Sequence, residues 1–474
     1  MQEKYAMINK KSEEGYSSKK AVAFSFGQVA DVTAYQSFVF LVFTFYFTII
    51  GLPVLFISLG FMIWSVWNAI NDPMLGYISD RTHTRFGRRL PYIMAGLIPL
   101  AIVMFFVFSP PKTFGITNLM VNLVYFIIII IVFELFYTMM SINLTSLFPE
   151  AFISLEERTK ANNIRQTFTV VALLFAFILP GFIISDYSDP QYIVQYSIFG
   201  AAVTVIVLIT GFLFLKFGPK EKKEFQEDYK NAPNFLNSIK MCVKSKSFRW
   251  YIPAEIAMWF IFSMVPTIIP LYAKFVLGME NALLISIMLG LTFISAMIFI
   301  NILWRPMVQK VGPRKAWIYA MIIWIGTNIP LLFISDPISG FIFFFFLGIG
   351  FGGGLYIIDI VVADIVDEDE VQTGMRREAG YYGVNALFLR FTTILVFLAI
   401  SLVFTNVGWA VYEPDKVTIQ VLIGLRILIA VFPTIALLIG IFAMYKYPLH
   451  GERLTKVKEE LEKIHTEKKS RIIK

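Results

Sequence analysis

The chain has 474 residues and a formal net charge of +8; 57% of it is hydrophobic, 16% is charged, and 48 residues are phenylalanine. Soluble chains run nearer about 45–50% apolar and about 25% charged, so this composition excludes a water-soluble globule, and basic residues that fall in short bursts between apolar runs exclude a nucleic-acid-binding stripe. A single cysteine, Cys242, excludes an intramolecular disulfide or a zinc cluster, and His83, His450 and His465 all lie in polar segments, which excludes a histidine relay inside a membrane.

Residues 1–28 are charged and have no apolar core before a small-residue cleavage site, so they read as a retained cytoplasmic tail and not as a signal peptide. A helix needs about 20 apolar residues to cross the hydrocarbon core. The first such run is 29–50, with Asp31 near its start. The second, 54–78, carries Asn68, Asn71 and Asp72 on one helix face. Two amide oxygens and a carboxylate near mid-span suit a small cation or a proton, because hard cations take oxygen ligands and buried charge needs a reason. A purely structural pairing of Asp72 is the competing reading. A basic turn follows, with Asp80, Arg81, Arg85, Gly87 and Arg88. The third run is 91–110. The fourth, 119–145, sets Glu134, Thr138, Ser141 and Thr145 at offsets of four, three and four, a continuous polar stripe. Hydroxyls bond readily to backbone, so Glu134 is the member that needs explaining. Arg165 stands before the fifth run, 166–186, and the sixth is 192–216.

After a basic loop at 217–250, the runs 251–276, 282–304, 316–334, 338–363, 381–406 and 419–446 bring the total to twelve. Lys310, Gly312, Arg314 and Lys315 repeat, after the eighth run, the basic glycine turn that follows the second; the match indicates a parallel internal repeat of two six-helix halves. The tenth run holds Gly348, Gly350, Gly352, Gly353 and Gly354. No Gly-Lys-Ser/Thr follows, so this is no phosphate loop; small residues at this spacing serve close helix packing or a gating flex. Asp364, Asp367, Glu368, Asp369 and Glu370 read as a solvated cytoplasmic loop that pairs with the basic turns. The eleventh run carries Tyr382, Asn385 and Arg390, and an arginine this deep needs an anion, which Asp72 or Glu134 would supply. Leu454, Val457, Leu461 and Ile464 form one stripe of a final amphipathic helix, which lies on the membrane or packs on the bundle.

Lys and Arg crowd one set of loops and both tails, while the opposite loops carry only Lys112, Lys274 and Lys416. The positive-inside bias then puts both termini in the cytoplasm of a multi-pass cell-membrane protein. The expected division is a tail at 1–28, a six-helix bundle at 29–216, a linker at 217–250, a second bundle at 251–446 and a tail at 447–474.

The string from Asn68-Ala-Ile-Asn-Asp-Pro to Gly76, with Asp80-Arg81 and Arg85-Phe-Gly-Arg-Arg89, resembles the glycoside–pentoside–hexuronide:cation symporters of the major facilitator superfamily. So do Glu157-Arg158-Thr-Lys-Ala-Asn-Asn-Ile-Arg165-Gln166 and the segment from Ala363-Asp-Ile-Val-Asp367 through Arg376-Arg-Glu378 to Asn385. The resemblance spans nearly the whole chain. It implies an all-α membrane protein of twelve transmembrane helices in two six-helix bundles. It also implies that Asn68, Asp72 and Thr138 stand at the family's cation site, that Asp31 and Arg165 stand at its sugar site, and that Arg390 replaces a lysine near the cation. Two departures matter. Asn68 replaces an aspartate of the melibiose permeases, and Ser141 and Thr145 stand where those proteins have an aspartate and a tryptophan.

The expectation is therefore a cation-coupled sugar or glycoside symporter, not an enzyme, that works by alternating access with Na+ or H+ as coupling ion and no cofactor. Cation contacts are expected from Asp72, Asn68, Asn71, Thr138 and Glu134, substrate contacts from Asp31, Arg165, Ser141, Thr145, Asn385 and Arg390, and gating from Asp80, Arg81, Arg85 and Arg88. The expected partners are a small-molecule substrate and the lipid bilayer, with no nucleic acid and a monomeric state. A lysolipid symporter of the same fold and a non-transporting membrane sensor or scaffold are the alternatives.

Overall fold

The structure is a computed structural model that describes residues 17–82, 84–152, 155–220, 235–373 and 378–473. Twelve helices among these residues are long and apolar enough to cross a membrane: α1 (Ser18–Ile50), α2 (Val54–Ser79), α3 (Leu90–Val107), α4 (Leu119–Phe148), α5 (Lys160–Ile183), α6 (Pro190–Phe217), α7 (Lys246–Phe275), α8 (Ala282–Val311), α9 (Pro313–Leu332), α10 (Pro337–Thr373), α11 (Val384–Asn406) and α12 (Ile419–Lys446). An amphipathic helix, α13 (Glu452–Ile473), ends the chain. No strand occurs among the described residues.

Their sequences are apolar on all sides, the signature of a helix that meets protein on one face and lipid on the other. In α3, Met94, Ile98, Ile102 and Phe106 point outward at four-residue steps, while Ile93, Leu97, Leu100 and Met104 are buried. α1 starts at Ser18, well before the apolar run, because Phe24 is held in an aromatic nest of Phe148, Phe152 and Phe214. Its far end loosens into a π-helical turn, Phe45–Ile50, that stops at Gly51 with φ 80°. Lys112 closes that end: its ammonium donates to the Ile49 and Ile50 carbonyls at 2.8 and 3.0 Å, and burial pulls its pKa below the ordinary lysine value.

The described residues form two compact units, 17–52 with 66–220, and 53–65 with 235–473. In the first, α1 packs on α5 and α6, and α3 packs on α4 and α6. In the second, α7 packs on α11 and α12, and α9 packs on α10 and α12. Each pairing recurs six helices later, which is the internal repeat in three dimensions. The two basic turns share backbone geometry as well: Gly87 and Gly312 take φ of 100° and 81°, a region open to glycine and strained for other residues. The first half of α2 belongs to the second unit. There the Ser58 hydroxyl donates to the Phe397 carbonyl at 3.0 Å, the Ser65 hydroxyl to the Arg390 carbonyl at 2.6 Å, and Phe61 stacks on Phe397.

The acidic run after the glycines is not a solvated loop. α10 continues unbroken to Thr373, and Asp364, Asp367, Glu368, Asp369 and Glu370 are buried. At 37 residues α10 is about 55 Å long, well beyond the hydrocarbon thickness, and these five acids occupy its last turns. Their charge is met locally. Arg453 of α13 grips Glu368 at 3.0 and 2.6 Å, Lys458 reaches Asp364 at 2.6 Å and Asp367 at 2.7 Å, and Ser247 donates to Glu368. Burial works against the Lys458 charge, yet its two carboxylates outweigh that and hold its pKa above the ordinary value. With Val457 and Leu461 buried, α13 packs on α10; the sequence had left that choice open.

Candidate functional site

The polar residues of α2 and α4 meet. Thr138 donates to Asp72 Oδ1 at 3.0 Å and is 3.2 Å from Glu134 Oε1; Asn71 Nδ2 donates to the Glu134 backbone carbonyl at 3.3 Å. A hydroxyl carries one proton, so Thr138 serves one of the two carboxylates at a time. Pro73 sits inside α2 and lacks an N–H, which deprives the Ala69 carbonyl of its helical donor and offers one more oxygen on this helix. Asn68 is fully buried, and neither amide atom has a hydrogen-bond partner among the described residues; the same holds for Asn71 Oδ1. The cluster gathers two carboxylates, a hydroxyl and two amides, a set of hard oxygen donors that fits a small cation. The structure links four of the five expected cation residues, Asn71, Asp72, Thr138 and Glu134, by hydrogen bonds; Asn68 is buried on α2 one turn before Asp72 and makes no hydrogen bond to them.

A second group lies in the same unit. Asp31 is buried on α1, faces the Ser141 and Tyr137 hydroxyls of α4, and has Arg165 of α5 nearby. Asp31 Oδ1 has no hydrogen-bond partner among the described residues. The Ser141 hydroxyl donates to Tyr137 at 3.3 Å, and Tyr35 stacks on Tyr137 with centroids 4.9 Å apart. The Arg165 guanidinium also rests on the Phe148 ring at 4.4 Å. Asp31, Arg165 and Ser141 are therefore neighbours. Thr145, one turn further along α4, is exposed. Tyr35 and Tyr137 escaped the sequence reading; Tyr137 stands one turn before Ser141 on the stripe already marked as polar, and that spacing was the available signal.

Asn385 and Arg390 lie in the second unit. Asn385 Nδ2 donates to Glu255 Oε1 at 2.7 Å, and both residues are buried. Glu255 is the functional candidate that the sequence reading missed. Its signal was plain: a carboxylate a third of the way along α7, subject to the same rule that singled out Glu134. Arg390 is half-buried, and its backbone carbonyl accepts from Ser65. Among the gating candidates, Arg81 and Arg85 are exposed and lie over the Tyr77 and Phe86 rings at 3.7 and 4.7 Å, while Arg88 is buried. The Asp80 side chain lies outside the described residues.

An open apolar groove of about 420 Å³ lies between α7, α11 and α12, lined by Pro253, Phe260, Leu398, Leu402, Phe432 and Ile439 among others; Leu398, Leu402 and Ile439 are exposed.

Residues 23–451 match the model of the MFS/sugar transport protein family, and the chain belongs to that family. It is a multi-pass membrane transport protein and not an enzyme. Among curated proteins it is 24% identical to the isoprimeverose transporter of Lactiplantibacillus pentosus, over 70% of this chain and 69% of that one. It is 22% identical to the sodium-dependent lysophosphatidylcholine symporter 1 of Gallus gallus, over 87% of this chain and 83% of that one. The crystal structure of the nucleoside transporter NupG shares the fold with a TM-score of 0.63 at 12% identity, covering 91% of this chain and all of that one.

Proposed function

We propose that the protein is a secondary active symporter that couples entry of a small cation to uptake of a sugar or glycoside by alternating access. The observation that carries this reading is the α2–α4 oxygen cluster. Two carboxylates that share one hydroxyl gather hard oxygen donors inside a membrane helix pair, and ionisable groups in such a place mark ion or proton paths. Glu134 supplies the carboxylate that Asn68 withdraws from the family pattern. Asp31, Arg165 and Ser141 offer acceptors and donors to the sugar. Coupling is reciprocal: the cation raises sugar affinity by the factor by which the sugar raises cation affinity. The isoprimeverose transporter among the relatives supports a sugar, and the sodium-dependent relative supports Na+ over H+. Both termini lie in the cytoplasm, the basic turns with Arg81, Arg85 and Arg88 gate that side, and the working unit is a monomer.

The test is uptake in proteoliposomes that hold the purified protein. Isoprimeverose, D-xylose and methyl glycosides are offered under an inward Na+ gradient, an inward proton gradient, or neither. Gradient-dependent accumulation of at least one sugar is expected. Sugar counterflow without any response to either gradient would remove the coupling and leave a uniporter.

One observation favours a second reading. The open apolar groove between α7, α11 and α12 suits an alkyl chain, and one relative is a lysophosphatidylcholine symporter by name. Na+-dependent uptake of lysophosphatidylcholine, with no sugar transported, would establish it.

A further inference from the structure

Four polar atoms of the second unit converge without satisfying one another. Glu255 and Tyr251 of α7 and Asn385 of α11 are buried, and Trp259, one turn beyond Glu255, is half-buried. Asn385 Nδ2 donates to one carboxylate oxygen of Glu255 at 2.7 Å. The other oxygen, Glu255 Oε2, has no hydrogen-bond partner among the described residues. The same is true of Asn385 Oδ1, Tyr251 Oη and Trp259 Nε1. Tyr251 and Trp259 approach the carboxylate without an aligned bond to it. Spacing of four residues along α7 puts Tyr251, Glu255 and Trp259 on one face, one above the other. Asn385 meets that face from α11, which packs on α7.

Native proteins rarely leave several buried polar atoms unpaired at one place unless a ligand or water completes them. The donor and acceptor count narrows what that ligand is. Glu255 Oε2 and Asn385 Oδ1 accept only, Trp259 Nε1 donates only, and the Tyr251 hydroxyl does both. A group of adjacent hydroxyls both donates and accepts, and so matches this set. The Trp259 ring adds a flat apolar surface for the C–H face of a pyranose. An anionic group does not match. The Glu255 carboxylate faces it directly. Arg390 lies five residues beyond Asn385, about 140° around α11, and so stands on another face of that helix.

We propose that Glu255, Asn385, Tyr251 and Trp259 form a hydroxyl-binding subsite of the second unit, built for the uncharged polyol part of a sugar. The proposal rests on the sugar-symport reading and adds a substrate class to it: neutral glycosides over uronates and sugar phosphates. Glu255 and Trp259 are the specificity residues. The carboxylate takes two hydroxyl protons or one hydroxyl and the Asn385 amide, and the indole N–H points to a ring or hydroxyl oxygen.

The experiment is calorimetric binding to the full-length protein in lipid nanodiscs. The probes are D-xylose, methyl β-D-xyloside, methyl β-D-glucoside and the anionic methyl β-D-glucuronide, with wild type, Glu255→Gln and Trp259→Phe. The wild type is expected to bind at least one neutral probe, and to bind the glucoside about tenfold or more tighter than the glucuronide. Glu255→Gln is expected to weaken the neutral probe by about tenfold, the size of effect that follows loss of a hydrogen bond to a charged acceptor, and to narrow the glucoside–glucuronide gap. Trp259→Phe keeps the ring, loses the N–H, and is expected to weaken binding by about threefold to tenfold. If both variants fold and bind the neutral probe within about twofold of wild type, the subsite is wrong while the symport reading stands. If Glu255→Gln does not fold, Trp259→Phe decides by the same criterion. If no neutral probe binds to the wild type, the sugar reading fails, and this proposal with it.

Discussion

The pair α2 and α4 and the pair α8 and α10 hold equivalent places in the two halves of the repeat, yet they are joined in opposite ways. α8 and α10 meet backbone to backbone. A Cβ on Gly348 would collide with the Thr292 carbonyl, and one on Gly352 would come within 2.6 Å of the Ala296 carbonyl. α2 and α4 meet through polar side chains: Asp72, Thr138, Glu134 and Asn71. The glycine contact leaves no room for a ligand, and dense packing of this kind makes a rigid joint. The polar contact holds charge that hydrocarbon does not solvate. A duplicated fold has thus kept one helix pair as a strut and turned the other into a candidate ion site. The difference lies in side-chain volume and polarity at a few positions, not in topology.

The largest expected effect comes from removing charge at the polar pair. Asp72→Asn should reduce cation-driven accumulation to the equilibrium level while counterflow of substrate continues; the ratio of the two in proteoliposomes reads it. An Asp72→Asn protein that still concentrates substrate would make α2–α4 as structural as α8–α10.

Glu134→Gln should lower gradient-driven accumulation by about tenfold or more, within the usual range of coupling energies. Adding Asn68→Asp to it should restore part of the loss, because the carboxylate returns to the same cluster from α2. No restoration would mean that Glu134 acts through its place in α4 and not through its charge.

The strut should fail in stability and not in coupling. Gly348→Ala forces α8 and α10 apart and should destabilise by roughly 1–3 kcal/mol, the usual size for overpacking, with a lower Tm and unchanged apparent cation affinity in the protein that remains folded. Asn68→Ala is the matched control on the polar side. Its amide makes no hydrogen bond among the described residues, so Tm should hold or rise. A large loss of Tm in Asn68→Ala with none in Gly348→Ala would reverse the assignment of strut and site.

The smallest effect is expected at Thr138. Thr138→Val keeps the shape and removes the shared proton donor, and should weaken the apparent cation affinity by about threefold to tenfold, since one neutral ligand is lost and both charges stay. Thr138→Ser should behave as wild type. An unchanged cation response in Thr138→Val would take Thr138 out of the site and leave the carboxylates.

Hydrophobic run length determined the twelve helices, because a bilayer sets a minimum apolar length and each run could be counted. The repeat was legible too, in the two basic glycine turns whose backbones prove to share a left-handed φ at Gly87 and Gly312. So was the polar face of α2, and the stripe of α4, because helical spacing fixes which residues share a face. What spacing cannot give is which faces meet. That Asp72 reaches Thr138, that Asp31 lies beside Tyr137 and Ser141, and that Glu255 takes its hydrogen bond from Asn385 depends on helix rotation and tilt, which packing alone decides. The acidic end of α10 shows the same limit from the other side. Five acids in seven residues look like a solvated loop in sequence, yet they are helical and buried, and Arg453 and Lys458, some 85 and 91 residues away in the chain, bring opposite charge to three of them. Local composition determines where a chain can enter a membrane; long-range contact decides which of its charged and polar side chains meet.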